Sequence, residues 1–168
     1  DEAALSALRH WLFDGGRLWV MLDRVDAELL DALLHDVSGC QVVDSITLND
    51  VNIEPGPDSS IDERTSVQFE QPVRLVRVLL DDEQVKFTVN GWPAAFVREY
   101  GAGQVLVTTL ESTAWVTRDD SSPAGLATLD STGYRMTDPL RRLMEGFYGP
   151  RPAPPDVVGL LTPRISQY

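Results

Sequence analysis

Side chains that could act as a nucleophile or a general base are scarce in this chain. Of its 168 residues, one is a cysteine, Cys40, and two are histidines, His10 and His35. A cysteine reacts as the thiolate, and no basic residue adjoins Cys40 to lower its pKa, so we expect a small buried side chain there. Asp36 could orient His35 as a base, but a histidine in the last turn of a helix is also stabilised by the helix dipole. We therefore predict no catalytic residue.

Metal and cofactor sites are not indicated either. Two isolated histidines and one cysteine fit no zinc pattern, and the acidic stretches DSSIDE, DDE and RDD lack the spacing of a calcium loop. The GAG at 101–103 lies between strand-like runs, which is typical of a hairpin turn rather than a phosphate loop. Trp92 and Trp115 could hold a sugar or a partner, but aromatic residues at strand ends are more often core edge. The sequence predicts no metal and no cofactor.

One pair of charged residues has a position that suggests a ligand site. Asp23 and Arg24 follow the apolar run RLWVML at 17–22. Such a run without alternation is typical of a parallel strand covered on both faces, and α/β sheets bind ligands at the carboxyl ends of their strands. Asp23 and Arg24 are therefore the candidate ligand region; the alternative is a helix cap and a surface charge.

Composition excludes several classes of partner. The chain has 14 basic and 26 acidic residues, for a net charge of −12. Binding to nucleic acid needs a basic face that neutralises phosphates, so we expect no nucleic-acid partner. An anionic membrane surface is disfavoured for the same reason. No apolar run reaches the ~20 residues that span a bilayer, so we expect no direct membrane insertion by this segment.

The first third of the chain alternates between helix and strand. A helix with Leu5, Leu8, Trp11 and Leu12 on one face ends at the double glycine 15–16. After the strand 17–22, a second helix at about 26–35 has a stripe of leucines at 29, 30, 33 and 34, with Asp26 or Asp23 as its cap. CQVVDSITL predicts a strand, and the polar residues 49–66 predict a loop.

The middle of the chain has a different pattern. Four β-like runs, VRLVRVLL, VKFTV, AAFVREY and QVLVTTL, are separated by turns too short for a crossover helix. The predicted fold class is therefore α/β, with a flavodoxin- or Rossmann-like, mostly parallel sheet, flanking helices and an antiparallel extension at about 67–110.

The C-terminal part predicts a helix and then a linker. Asp138 and Pro139 suit a helix start, and a stripe follows at Leu140, Leu143, Met144 and Phe147. PRPAPPD at 150–156 is typical of a stiff, extended linker. We expect one domain at 1–149 and a Pro-rich linker at 150–168.

Two stretches resemble a known superfamily. LRHWLFDGGRLWVML resembles the helix, double glycine and nucleophile strand of class I glutamine amidotransferase-like domains. WPAAFVREYGAGQVLVTTLESTAW is similar to a hairpin in their non-enzymatic, extracytoplasmic members, which belong to bacterial membrane proteins of unknown function. Together the likeness covers about 4–40 and 92–148. It implies an extracytoplasmic location and a domain lacking the first strand of that fold.

The nucleophile elbow of that superfamily, Gly-x-Cys-x-Gly, is absent here. Leu22 and Asp23 stand in its place, and neither histidine begins a His-x-Glu pair. We therefore expect no enzyme but a non-catalytic binding or assembly module, part of a larger membrane-anchored protein. The alternatives are a divergent amidase or hydrolase, or a small-ligand sensor at the end of strand 17–22.

The strand 17–22 is also relevant to assembly. It is too apolar for an edge open to water, so we expect a neighbour: the CQVVDSITL strand, the 104–110 strand or a second molecule. The expected partners are an unidentified protein or the rest of the same membrane-anchored chain, with dimerisation through a sheet edge as a further possibility.

Deletion of residues 156–168 tests the linker. We expect the thermal midpoint to stay nearly unchanged, because a linker buries little apolar surface. Thermal unfolding of the full and shortened chains, followed by circular dichroism, measures this. A drop of several degrees would show that the apolar residues of VVGLL belong to the core.

Overall fold

The computed structural model describes residues 2–34, 39–57, 64–80, 85–118 and 134–149. Within these ranges the chain forms three helices, eight strands and one 3₁₀ turn. In chain order they are α1 (Glu2–Phe13), β1 (Arg17–Met21), α2 (Ala27–Leu34), β2 (Cys40–Pro55), β3 (Thr65–Leu80), β4 (Val85–Val89), β5 (Trp92–Tyr100), β6 (Gly103–Thr108), the 3₁₀ turn (Ser112–Trp115), β7 (Val116–Arg118), β8 (Tyr134–Met136) and α3 (Asp138–Tyr148).

The main sheet is mixed and mostly antiparallel. Its strand order is β1-β6-β5-β4-β2-β3, and β7 and β8 form a separate pair. Only β1 and β6 run parallel among these pairs; the others are antiparallel. The expected flavodoxin- or Rossmann-like, mostly parallel sheet is therefore wrong. A continuous apolar run indicates that both faces of a strand are covered, but it does not indicate the direction of the neighbouring strands.

Of the three hairpins predicted at 67–110, two are confirmed, β4–β5 and β5–β6. The third is wrong, because β3 pairs with β2 and β4 pairs with β2 and β5, so β3 and β4 are not neighbours. Asn90 and Gly91, with φ of 48° and 83°, join β4 to β5. Positive φ at both central residues is what a tight turn that matches the twist of two strands requires. Gly101, with φ of 60°, lies in the turn between β5 and β6. The GAG is thus a hairpin turn, as its flanking sequences predicted.

The predicted loop at 49–66 is wrong at both ends. β2 continues through Pro55 and β3 already begins at Thr65, while residues 58–63 lie outside the described ranges. At the end of β2, Val51 and Ile53 are buried and Asn52 between them is exposed. This alternation is a strand signal that the many polar residues around it obscured.

The long β2–β3 hairpin curls the sheet into a half-barrel. The end of β2 pairs with β4 through Ile53 and its neighbours. The far end of β3 returns to the chain that leaves β6: the Val76 amide donates to the Thr109 carbonyl at 3.0 Å, and the Glu111 amide donates to the Arg74 carbonyl at 2.8 Å. A bridge between Leu75 and Leu110 lies between these two bonds. We call residues 74–76 and 109–111 the seam.

Each face of the sheet carries its own core. Along β6, Leu106 belongs to one core, and Val105 and Val107 belong to the other, as the alternation of a strand requires. The first core lies within the curl and beneath the 3₁₀ turn and α3. The second lies beneath α1 and α2. Because both faces of the sheet are covered, the sequences of β1 and β6 are continuous apolar runs.

The glycines after α1 allow a close approach that places β1. Gly15, with φ of 112°, takes the left-handed conformation that ends the helix. A Cβ on Gly103 would lie 1.9 Å from the Leu12 carbonyl oxygen. Only glycine fits there, so the end of α1 packs directly against the start of β6, beside β1.

The predicted helical stripes are confirmed in part. In α1, Leu12 is buried and Leu5 and Leu8 pack against the second core, but Trp11 is 48% exposed and does not belong to the buried face.

In α2, Leu30, Leu33 and Leu34 are buried, whereas Leu29 is 48% exposed and was wrongly included. Asp26 rather than Asp23 acts at the start of α2, where its carboxylate accepts the Glu28 amide.

The stripe of α3 is confirmed. Leu140, Leu143 and Phe147 are buried, and Met144 packs beside them. Thr137 rather than Asp138 is the residue before the first turn, because the Arg141 amide donates to its carbonyl.

The predicted neighbour of strand 17–22 is found on one side. β1 pairs with β6, the run predicted at 104–110, from Arg17 to Met21. Its other edge has no strand partner among the described residues, so dimerisation through that edge stays a prediction. The linker at 150–168 lies outside the described ranges.

Two substitutions in α3 test its docking with opposite signs. Leu143→Ala should lower the free energy of unfolding by about 2–5 kcal/mol, because Leu143 is 5% exposed in the first core. Gly146→Ala should raise it by about 0.5–1 kcal/mol, because a Cβ there meets nothing within 4 Å and alanine favours the helix. Urea unfolding of the three proteins measures both, and an unchanged midpoint for Leu143→Ala would show that α3 is not docked.

Candidate functional site

The two parallel strands end at the same edge of the sheet, and charged residues follow both. Asp23 and Arg24 follow β1, while Glu111 and Ser112 follow β6. The Leu22 amide donates to the Thr108 carbonyl at 2.9 Å, so the pairing of the strands extends to the start of this region. Arg74 arrives from β3 through the seam. Asp23, Arg24, Arg74 and Glu111 line a cleft of about 340 Å³.

Asp23 is buried where it lines the cleft, with its side chain only 2% exposed. One carboxylate oxygen, Oδ2, accepts the Ser112 amide at 3.1 Å and lies 3.1 Å from Nε of Arg24. The other oxygen, Oδ1, is buried and has no hydrogen-bond partner in the described structure. A buried acceptor without a donor is costly, since desolvation is not compensated.

Two guanidinium groups stand beside this carboxylate. The Arg24 side chain is 62% exposed, and its Nε and Nη2 donate to Ser112 Oγ over 3.4 and 3.3 Å. Nη2 of Arg74 donates to the Asp23 backbone carbonyl. A guanidinium has five N–H donors, so these contacts leave donors of both arginines directed to the cleft or to solvent.

Glu111 is occupied by the fold itself. Its Oε2 accepts the Arg74 amide at 2.8 Å, and its Oε1 accepts the Thr113 hydroxyl at 3.0 Å. The backbone hydrogen bond from Arg74, helped by the hydroxyl, holds the pKa of Glu111 below its ordinary value. A depressed pKa means that ionised Glu111 stabilises the seam above its ordinary pKa, and that this contribution is lost as the pH falls through the lowered value.

The described lining of the cleft consists of guanidinium and carboxylate groups. The Ser112 hydroxyl next to it accepts hydrogen bonds from Arg24, the Thr113 hydroxyl donates to Glu111, and no histidine lines the cleft among the described residues. A serine nucleophile needs a base within hydrogen-bond reach. No group of three potential metal ligands occurs among the described residues. What the cleft does present is guanidinium donors next to a buried acceptor oxygen.

The predicted pair is brought together with two residues that the sequence reading missed. Asp23 and Arg24 both line the cleft, as the strand-end argument placed them, but Arg74 and Glu111 were not predicted. Glu111 had a signal: it follows the run predicted as a possible neighbour of strand 17–22, and parallel neighbours end at one edge. Arg74 had no such signal in the sequence, because the hydrogen bonds that place it beside the cleft join it to residues far away along the chain.

The residues considered for catalysis lie elsewhere or outside the described ranges. Cys40 begins β2 opposite Leu80 and packs against the second core. Burial raises the pKa of its thiol to about 11, against a weaker opposing effect of Arg98. His10 is exposed on α1, and His35 with Asp36 lies outside the described residues.

The two aromatic candidates belong to the fold. Trp115 is buried, and its indole N–H donates to the Leu110 carbonyl at 3.3 Å. Trp92 packs beside the first core, with the Arg77 guanidinium 4.8 Å above its ring. Both therefore serve as core or core edge, as predicted.

Comparison with known proteins reveals distant structural likeness only. No protein family and no curated protein matches the chain. Among solved structures, the cytoplasmic protein STM1381 from Salmonella typhimurium LT2 aligns at 16% identity and a TM-score of 0.48, over 64% of this chain and 49% of that one. The cytoplasmic protein STM3548 from Salmonella typhimurium gives 14% and 0.47 over the same shares. The β-galactosidase of Bacillus circulans sp. alkalophilus gives 14% and 0.48, over 64% of this chain and 18% of the enzyme.

The amidotransferase resemblance is not upheld by these matches. No glutamine amidotransferase-like protein is among them, and the mixed, curled sheet differs from the fold which that resemblance implied. The extracytoplasmic location rested on the resemblance alone and falls with it. The quoted motifs mark a helix, a glycine turn and a strand, which many folds share. No described helix is long and apolar enough to cross a membrane.

The reactivity of Cys40 tests its burial. With the pKa near 11 instead of 9.0, the thiolate fraction at neutral pH falls about 100-fold. A more basic thiolate is also more nucleophilic, which raises the rate of its reaction about tenfold and offsets part of this loss. We therefore expect an aromatic disulfide reagent to react at least about tenfold more slowly with the folded chain than with the chain in guanidinium. Equal rates would show an exposed, ordinary thiol.

Proposed function

We propose that this chain is a non-catalytic binding module for a small polar ligand, and that the cleft at the ends of β1 and β6 is its binding site. The observation that carries the proposal is the Oδ1 atom of Asp23, a buried acceptor without a donor beside the Arg24 and Arg74 guanidinium groups. Native structures rarely leave such an atom unsatisfied. A ligand that supplies the missing donor and accepts from the arginines would complete the network.

An assembly module is less well supported. Assembly through a face of the molecule calls for a contiguous apolar patch. Among the described residues, the exposed large hydrophobic side chains instead lie on six elements: Trp11 and Phe13 of α1, Leu29 of α2, Val43 of β2, Leu79 of β3, Met136 of β8 and Tyr148 of α3. The concentration of charged groups at one strand end favours ligand binding.

A divergent amidase or hydrolase is also less well supported. Such an enzyme needs a nucleophile, a base and oxyanion donors in one place. The cleft offers donors, but the described structure places Cys40 at the start of β2 and His10 on α1, neither of which lines it.

Mapping of ligand contacts by NMR tests the proposal. The ¹⁵N-labelled chain is titrated with a library of small charged and zwitterionic molecules. We expect binders to shift the amides of Asp23, Arg24, Arg74, Glu111 and Ser112.

Two variants separate the cleft from the general surface. Arg74→Gln should weaken a mapped binder about tenfold or more, since a hydrogen bond to a charged group contributes about 1.5–3 kcal/mol. Arg141→Gln, a change at an exposed arginine of α3 that pairs with Asp138 and Glu145, should leave affinity unchanged. The proposal fails if no compound shifts the cleft amides of the folded chain, or if both variants bind alike.

A further inference from the structure

The charges that line the cleft balance one another. Among the described residues, two arginines face one aspartate and one glutamate, so this part of the lining has no net formal charge, while the whole chain carries −12. A multiply charged anion would gain nothing from the lining as a whole and would be repelled by the chain at long range. The electrostatics therefore favour a ligand of low net charge that has its own polar groups in a set order.

The hydrogen-bond groups define that order. Both oxygens of Glu111 are occupied, and so is Oδ2 of Asp23. One acceptor without a partner is left among the lining carboxylates, Oδ1 of Asp23. On the donor side, Arg24 and Arg74 have further N–H groups. The complementary ligand has an oxyanion for the guanidinium groups and one donor for Oδ1.

The separation of these groups sets the size of the ligand. Nε of Arg24 lies 3.1 Å from the other oxygen of the same Asp23 carboxylate. The guanidinium group and Oδ1 are therefore close neighbours, and a ligand that carries its oxyanion and its donor on adjacent carbons suits them. A planar carboxylate matches the fork of a guanidinium, and a cleft of about 340 Å³ accommodates a small molecule. Oδ1 is buried, so a ligand reaches it only when a side chain moves. The side chain of Arg24 is 62% exposed and is held by its ion pair with Asp23 and by two long bonds to Ser112, so a ligand carboxylate that takes over these bonds can displace it.

We propose, on the basis of the binding function above, that the cleft binds a small carboxylate with a hydroxyl or amino group on the adjacent carbon. The carboxylate lies against the guanidinium groups of Arg24 and Arg74. The hydroxyl or ammonium group donates to Oδ1 of Asp23.

Three ligands with one carbon skeleton test this directly. Propionate, lactate and alanine have hydrogen, hydroxyl and ammonium, respectively, on the carbon next to the carboxylate. NMR titration of the wild-type chain should show lactate or alanine, or both, binding at least tenfold more tightly than propionate, because only they supply a donor. Whichever of the two binds more tightly identifies the donor. Propionate binding as tightly as both, or inorganic phosphate binding more tightly than all three, would overturn the inference.

Asp23→Asn assigns the donor to Oδ1. The variant replaces one carboxylate oxygen by an N–H₂ group, so the advantage of lactate or alanine over propionate should disappear. Arg141→Gln should keep it. An advantage that survives in a folded Asp23→Asn protein would overturn the assignment to Asp23, and the wild-type comparison decides the ligand class if this variant does not fold.

The two proposals fail in different ways. If none of the three carboxylates binds but another library compound shifts the cleft amides, the ligand class is wrong and the binding function stands. If no compound shifts those amides, both are wrong.

Discussion

The seam between β3 and the chain leaving β6 is the constraint on which the site depends. Two backbone hydrogen bonds, from Val76 to Thr109 and from Glu111 to Arg74, join segments more than thirty residues apart. They curl the sheet and place Arg74 beside the end of β1. The Glu111 carboxylate adds a further bond at the same point by accepting the Arg74 amide. Without this closure, Asp23 and Arg24 would remain an ordinary charged turn after a strand.

The parallel pairing of β1 with β6 determines which residues meet next to the seam. In a sheet that is otherwise antiparallel, it is the one described pair whose ends coincide at one edge. The Ser112 amide, at the first residue of the 3₁₀ turn, therefore donates to the Asp23 carboxylate. A buried carboxylate with one bonded and one unbonded oxygen results. A buried acceptor without a donor is typical of binding sites, because proteins satisfy nearly all other buried polar groups with hydrogen bonds.

Local patterns predicted local structure well. The double glycine, the Asn90–Gly91 turn, the short β-runs after residue 67 and the stripe of α3 all appeared where their spacing placed them, because each depends on neighbours within a few residues. The errors arose where polar composition was weighed above alternation, as at Val51 and Ile53. A further error was to infer a parallel sheet from one apolar run and a familiar motif.

By itself, the sequence determined the order of the elements from α1 to β6 and the helix α3, although not the short strands β7 and β8. It also determined the absence of a Gly-x-Cys-x-Gly elbow and of a His-x-Glu pair, and the position of Asp23 and Arg24 at a strand end. The tertiary structure alone decided the pairing of β2 with β3 and β4, the curl of the sheet and the arrival of Arg74 and Glu111 at that strand end. The physical reason is the range of the interactions involved. Turn conformation and side-chain periodicity are encoded over a few residues, whereas strand pairing is selected by burial over the whole chain, and many registers satisfy the same local pattern.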